Sequence, residues 1–119
     1  MRILLVEDDS ALADAVCGYL RAKAFVVDLA PGLAEARGAL LSAQYAAVLL
    51  DLHLGDGDGL SLLPQVRALR EPPVVIGLPA RHHVIDYAHA DRVRGIDLVV
   101  AGEQQLLRLF RASDPGQQH

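Results

Sequence analysis

Three aspartates stand at or just beyond the ends of apolar runs in this sequence. Asp8 and Asp9 follow the run RILLV (2–6), and Asp51 ends the run AAVLLD (46–51). Carboxylates that lie close together repel one another, so at least one pKa should rise unless a cation is bound. Mg²⁺ binds such groups together with carbonyl and water oxygens. An aspartate beside the ion can attack phosphorus and carry a phosphoryl group, so these residue types predict metal-assisted phosphoryl chemistry.

The elements that would position these aspartates are short apolar runs alternating with amphipathic segments. Strands are predicted at 2–6, 25–30, 46–51, 73–78 and 96–101. The alternation predicts an α/β fold with a doubly wound, five-stranded parallel sheet in the order 2-1-3-4-5. In that order, ligands bind beyond the carboxyl ends of the first and third strands. The three aspartates should therefore meet at one crevice.

Apolar residues at helical spacing predict a helix after each strand. Ser10 is expected to cap the first helix. The third helix carries apolar residues from Leu60 to Leu69, and Pro64 is acceptable there only in the first turn. Weakly patterned residues 82–94 are predicted as the fourth helix. The fifth helix contains Leu106, Leu107 and Phe110.

Size and charge restrict the class of protein. With 119 residues, 52% of them apolar, the chain suits a single domain, predicted over 1–112 with a tail or linker start at 113–119. No apolar run approaches the roughly 20 residues that span a bilayer, and the start MRILLVEDD is unlike a signal peptide. We therefore expect a cytoplasmic protein without a membrane partner. The net charge of −4 argues against nucleic-acid binding by this domain itself. The lone Cys17 is predicted to be a core residue.

The motifs ILLVEDD (3–9) and LLDLHLGDGDGL (49–60) resemble those of the receiver domain of two-component response regulators. The resemblance is strong over residues 1–78 and is closest to the OmpR-like subfamily, which carries a winged-helix DNA-binding domain. It implies a flavodoxin-like fold. It also implies a sensor histidine kinase as partner, a protein partner or homodimer, and contact with DNA only through a separate output domain.

The resemblance also implies roles for individual residues. Asp51 corresponds to the phosphoacceptor, and Asp8 and Asp9 to the acid pair that binds Mg²⁺. The main-chain carbonyl of His53 corresponds to the third protein ligand of the metal. Gly55 stands where the family usually has proline, whereas Asp58-Gly59 fits the family pattern.

Other groups that the family uses are absent from this sequence. The chain has no threonine, and Pro79 stands where the family has a hydroxyl residue. The only lysine is Lys23, and Ala101-Gly102 stands where the family has Lys-Pro. No aromatic residue occurs in the predicted fifth strand. The resemblance therefore implies an atypical receiver, which is not an enzyme, binds Mg²⁺ weakly, and is phosphorylated weakly or acts independently of phosphorylation.

Some alternatives remain open at this point. A small Mg²⁺-dependent phosphohydrolase or phosphotransferase of the haloacid-dehalogenase type also uses a strand-end aspartate, but its Asp-x-Asp-x-Thr motif is not met after Asp51. Arg81 is either a substitute for the missing lysine or a surface residue. His53, His82 and His83 are interpreted as exposed loop residues rather than as a transition-metal site.

Overall fold

The structure is a computed structural model, and it describes residues 1–78, 90–93 and 96–100. The last two ranges are described by their backbone alone. The predicted fifth helix, the tail, Pro79 and Ala101 lie outside the described residues. The same is true of Arg81, His82 and His83.

A six-stranded sheet forms the centre of the protein. Strand β1 (Arg2–Val6) pairs in parallel with β2 (Val26–Ala30) on one side and with β3 (Ala47–Asp51) on the other. Next to β3 lies β6 (Val74–Leu78), which is parallel to it, and then β8 (Ile96–Val100), which is parallel to β6. The predicted parallel order is thus confirmed, with β6 and β8 as the predicted fourth and fifth strands.

The predicted fourth helix is wrong at its end. Residues Ala90–Val93 form strand β7, which pairs antiparallel with β8 at the edge of the sheet. Only residues 94 and 95 separate the paired residues Val93 and Ile96, a spacing typical of a hairpin. The pairing satisfies one side of the β8 backbone. This stabilisation comes from hydrogen bonds between strands, which the spacing of apolar residues in the sequence does not indicate.

Helix α1 (Ser10–Ala22) and helix α2 (Leu33–Ser42) follow β1 and β2. After β3, a two-stranded hairpin forms from β4 (His53–Leu54) and β5 (Gly57–Asp58). A 3₁₀ turn (Gly59–Leu62) then leads into the short helix α3 (Leu63–Arg67). Pro64 lies in the first turn of α3, as predicted, where its missing N–H has no helical partner.

The core lies on both faces of the sheet because successive residues of a strand point to opposite faces. In β1, Leu4 and Val6 pack in a cluster with residues of α2 and α3, whereas Ile3 and Leu5 pack in a second cluster with residues of α1. The latter cluster includes Cys17, which is buried as predicted. Burial on both faces explains why β1 and β3 are almost wholly apolar and carry their polar residues, Arg2 and Asp51, at their ends.

Candidate metal and phosphoacceptor site

Three carboxyl groups meet where β1 and β3 end. Glu7 and Asp8 follow β1 directly, and Asp51 is the last residue of β3. Each offers an oxygen atom, and these oxygens all lie within 4.8 Å of one another. Glu7 and Asp51 are buried, whereas Asp8 is exposed at the mouth of the crevice. Oxygen donors at this spacing fit a hard divalent cation such as Mg²⁺.

The carboxyl cluster does not include Asp9, which was predicted from the sequence as one of the acids that bind Mg²⁺. The Asp9 side chain caps helix α1, where Oδ1 accepts a hydrogen bond from the Leu12 N–H at 2.9 Å. Ser10, predicted as the cap, is instead the first residue of the helix. The cap uses Asp9 because the residue just before the first helical turn can reach the free N–H groups of that turn.

Glu7 is the site residue that sequence reasoning missed. It directly follows Val6, the last residue of β1, and its Oε1 accepts a hydrogen bond from the Asp9 N–H at 3.0 Å. The signal was present in the motif, because Glu7 stands nearer to the strand end than Asp9 does. The structure therefore brings together Glu7, Asp8 and Asp51, not Asp8, Asp9 and Asp51.

Burial and mutual repulsion dominate the electrostatics of the cluster. Burial, with further contributions from Asp51 and Asp8, raises the pKa of Glu7 from 4.5 to about 7, although the hydrogen bond from Asp9 N–H opposes the rise. Burial likewise raises the pKa of Asp51, partly offset by hydrogen bonds from the His53 N–H and from the Glu7 carboxyl. Without a cation, the pair therefore tends to retain a proton. A cation would remove the need for that proton.

The loop after β3 is attached to the carboxyl cluster by backbone N–H groups. The His53 N–H donates to Asp51 Oδ1 at 2.9 Å, which orients the carboxylate. The Gly55 N–H donates to Asp8 Oδ2 at 2.9 Å. Further on, Asp58 Oδ1 accepts from the Leu60 N–H at 2.9 Å and caps the 3₁₀ turn. The loop thus presents donors to two of the three acids.

Gly59 allows the loop to return close to Asp51. Its N–H donates to the Leu52 carbonyl at 3.2 Å. A Cβ atom at this position would overlap the main-chain carbonyl oxygen of Asp51. The glycine is therefore required by close backbone approach, which agrees with its place in the Asp58-Gly59 motif.

An open cavity of about 660 Å³ lies beside the cluster and is lined by Asp8, His53, Gly55 and Asp58 among others. It is bounded on one side by the β4–β5 hairpin. The cavity gives a small molecule or a partner side chain access to the exposed acid of the cluster.

Comparison with known proteins shows the family to which the chain belongs. The family model for the response regulator receiver domain matches residues 3–110. The chain belongs to this family. The match covers both acidic motifs, and the resemblance stated from the sequence is confirmed.

Similar proteins support the subfamily. This receiver domain is 38% identical over 114 residues to the transcriptional regulatory protein PmrA of Pectobacterium parmentieri, covering 96% of this chain and 48% of that protein. It is 36% identical over 114 residues to the transcriptional regulatory protein DltR of Streptococcus agalactiae serotype III, again covering 96% and 48%. The receiver domain spans about half the length of these relatives. The OmpR-like assignment is supported.

Solved structures share the fold of this receiver domain. A response regulator receiver domain protein from Methanospirillum hungatei aligns with a TM-score of 0.74 at 22% identity, covering 98% of this chain and 94% of that chain. The response regulator protein TrrA from Thermotoga maritima, solved in complex with Mg²⁺ and BeF, aligns with a TM-score of 0.68 at 22% identity, covering 92% and 97%. These matches support the flavodoxin-like fold. The haloacid-dehalogenase alternative is not supported.

Within residues 1–78, 90–93 and 96–100, no helix has both the length and the apolar character that crossing a bilayer requires.

Proposed function

We propose that this receiver domain acts in two-component signalling with Asp51 as its phosphoacceptor, and that it is phosphorylated weakly or acts independently of phosphorylation. One observation carries the first part. Asp51 ends β3 with a carboxylate oxygen within 4.8 Å of oxygens of Glu7 and Asp8. The second part rests on residues that the sequence lacks.

In this proposal, Glu7, Asp8 and Asp51 hold Mg²⁺ together with the main-chain carbonyl of His53. When bound, Mg²⁺ supplies positive charge that offsets the charge developing on a transferred phosphoryl group. The Asp51 carboxylate attacks the phosphorus of a phosphodonor. A new bond from oxygen to phosphorus forms while the bond to the leaving group breaks, and the leaving group takes the electron pair. The His53 N–H, 2.9 Å from Asp51 Oδ1, keeps the attacking carboxylate oriented.

Weak phosphorylation is expected because the sequence lacks the lysine and the hydroxyl residue that the family uses at this site. The only lysine, Lys23, caps the far end of α1, so it lies at the end of that helix away from the crevice. Sequence matching puts Ala101 and Pro79 where the family has its lysine and its hydroxyl residue. A transferring phosphoryl group then lacks two of the partners that normally stabilise its charge.

The proposal includes partners outside this chain. A sensor histidine kinase would be the phosphodonor, and a DNA-binding output domain would read the signal. The latter is supported by relatives named transcriptional regulatory proteins, of which this chain spans about half. The net charge of −4 supports DNA contact only through such a separate domain. We further propose a cytoplasmic signalling module that is not an enzyme, with a protein partner or a second copy as its contact.

Mass spectrometry after incubation with acetyl phosphate and Mg²⁺ tests the phosphoacceptor. The phosphoryl group should appear on the peptide that contains Asp51, slowly and at low yield, and should be absent from Asp51→Asn. A phosphoryl group that persists in Asp51→Asn would overturn the assignment.

A further inference from the structure

The loop between β3 and the 3₁₀ turn is attached at two places to different parts of the protein. On one side, the Gly55 N–H donates to Asp8 Oδ2 at 2.9 Å, in the carboxyl cluster. On the other side, the next residue, Asp56, accepts from the Leu33 N–H through both carboxylate oxygens, at 3.1 and 2.9 Å. Adjacent residues thus connect the crevice to the first turn of α2.

The Asp56 carboxylate supplies the cap that helix α2 lacks, because it accepts a hydrogen bond from the Leu33 N–H. The N-cap residue of α2 is Gly32, which has no side chain to accept a hydrogen bond. The Leu33 N–H, at the start of the helix, is instead satisfied by a residue 23 positions away. A carboxylate at a helix N-terminus is also favoured by the helix dipole. The first turn of α2 therefore depends on the position of the loop.

Close packing leaves the loop little freedom against α2. A Cβ atom on Gly32 would lie 2.8 Å from Asp56 Oδ2, and one on Gly57 would lie 3.0 Å from Leu33 Cδ1. Gly57 also has a φ of +149°, which residues other than glycine rarely adopt. Movement of the loop must consequently move or release the start of α2.

Further contacts join α2 to the segment that follows the loop, the 3₁₀ turn and α3. Arg37 Nη2 donates to Ser61 Oγ at 3.3 Å, and Gln65 Nε2 donates to the Arg37 carbonyl at 3.0 Å. These bonds join one turn further along α2 to the 3₁₀ turn and α3. These bonds hold the second turn of α2 in place, so the Asp56 contact at the first turn can change without moving the whole helix.

We propose that Asp56 is a positioning residue that couples cation binding at the carboxyl cluster to the first turn of helix α2. This inference rests on the proposed function, because it takes Asp8 as a cation ligand. The Asp8 carboxylate that accepts from Gly55 through Oδ2 also offers an oxygen to the cluster, so a cation that binds this carboxylate alters its bond to Gly55 and displaces Asp56. The coupling gives the domain an output surface on α2.

The coupling must be reciprocal. If the cation changes the order of the first turn of α2, then loosening that turn changes the affinity for the cation by the same factor. This route does not involve positions 79 and 101, where the sequence departs from the family. Loss of the family's usual groups therefore leaves it intact.

Two substitutions of Asp56 separate the hydrogen bond from the charge. Asp56→Asn and Asp56→Ala both remove one negative charge, but only asparagine keeps an oxygen that can accept from the Leu33 N–H. Gly32→Ala disturbs the same contact from the helix side, and its φ of −156° suits alanine. Amide NMR spectra recorded during titration with Mg²⁺ follow the Gly55 and Leu33 N–H groups separately.

In the wild type, both amide signals should move with the same midpoint. Asp56→Ala should abolish the Leu33 response and, because the cation then has no helix cap to displace, lower the dissociation constant for Mg²⁺ about threefold to tenfold relative to Asp56→Asn, in keeping with the usual strength of a helix cap. Gly32→Ala, which keeps the Asp56 charge, should shift the dissociation constant in the same direction relative to wild type. A saturable Gly55 response with a silent Leu33 in the wild type, or equal affinities for Asp56→Ala and Asp56→Asn, would overturn the coupling while leaving the metal site in place. If no crevice amide responds to Mg²⁺, the metal site itself fails, and the coupling with it.

Discussion

The carboxyl groups of Glu7 and Asp51 lie with oxygen atoms within 4.8 Å of each other at the ends of adjacent parallel strands, and the two residues are only 4% and 7% exposed. Water cannot screen two charges in this position well. Burial therefore raises the pKa of both groups, that of Glu7 to about 7. Ionising both acids is therefore unfavourable unless a cation binds between them. Folding stability should consequently depend on both pH and Mg²⁺ concentration.

The first prediction concerns pH in the presence of a chelator. Because the folded state holds the Glu7 proton more tightly than the unfolded state, the free energy of unfolding should fall as pH rises from 4.5 to about 7. The loss from this group should be no more than about 3 kcal/mol. Glu7→Gln should remove it, so the variant gains stability relative to wild type as pH rises. Urea unfolding followed by circular dichroism measures both proteins.

Mg²⁺ provides the control for the pH experiment. Saturating Mg²⁺ should stabilise the wild type most at pH 7.5, where the acids are ionised, and Glu7→Gln much less. Parallel stability curves for the two proteins between pH 4.5 and 7.5 would contradict the assignment of the raised pKa to Glu7.

The second prediction separates the roles of Asp9 and Glu7. Asp9→Ala should lower the free energy of unfolding by about 1 kcal/mol because α1 loses its cap, and should change Mg²⁺ affinity by no more than about twofold. Glu7→Gln should weaken Mg²⁺ binding by at least about fivefold, since ligand charge sets the affinity of such sites. Calorimetric titration and urea unfolding give the two quantities. Asp9→Asn, which keeps the cap, is the matched control; a strong loss of Mg²⁺ affinity in that variant would restore Asp9 as a ligand.

The third prediction concerns the close approach at Gly59. Gly59→Ala should destabilise the domain by about 1–3 kcal/mol, because the new methyl group overlaps the Asp51 carbonyl oxygen. Gly18→Ala is the comparison, since nothing lies within 4 Å of its Cβ position in helix α1. That variant should be about 0.5–1 kcal/mol more stable than wild type. Thermal unfolding distinguishes them, and equal effects at both glycines would refute the packing argument.

The fourth prediction concerns the lysine that the family has and this sequence lacks. Ala101→Lys should increase the rate of labelling by acetyl phosphate in the presence of Mg²⁺ by about 10–100-fold, because a lysine there would stabilise the charge of the transferring group. Ala101→Met, which matches lysine in length without its charge, should not. Intact-mass spectrometry over time gives the rates. Fast, stoichiometric labelling of the wild type would show that another group, such as Arg81, already replaces the lysine.

The fifth prediction concerns the response to beryllofluoride, a mimic of the phosphoryl group. Pro79 offers neither a hydroxyl nor a backbone N–H, and no aromatic residue occurs between Ile96 and Ala101. Amide shifts should therefore be confined to the acidic cluster, its loop and the start of α2. Sedimentation should show the same association state with and without the mimic. Large shifts across residues 80–110, or a change from monomer to dimer, would reveal a rebuilt switch.

The architecture of the parallel sheet was accessible from the sequence because its strands are short, mainly apolar runs, and β1 and β3 are buried on both faces. The order of β2, β1, β3, β6 and β8 followed from right-handed connections between such strands. The antiparallel strand β7 was not predicted. Its stability comes from pairing with β8, and a weak local pattern cannot express a gain that depends on a partner elsewhere in the sheet.

The sequence predicted an acidic site of Asp8, Asp9 and Asp51 at this end of the sheet, whereas the carboxyl oxygens that the structure brings together belong to Glu7, Asp8 and Asp51. The sequence places Glu7, Asp8 and Asp9 in succession after β1, and their types alone do not decide which of them face β3. The capping bond from Leu12 N–H turns Asp9 toward helix α1, while Glu7 is buried against Asp51. Which of the three acids faces β3 depends on the direction that the backbone takes as it leaves β1.

The sequence alone determined which chemical groups are available: a strand-end aspartate at position 51, further acids beside it, no threonine, and one lysine, Lys23. No fold can supply a side chain that the sequence lacks, so these limits hold for any arrangement of the chain. The tertiary structure alone decided which groups meet. The bonds from Gly55 to Asp8 and from Leu33 to Asp56 join residues 47 and 23 positions apart, and no local pattern marks them. Such contacts arise because packing of the helices on the sheet brings distant loops to one edge. There, backbone N–H groups that have no partner in a helix or strand donate hydrogen bonds to nearby carboxylates.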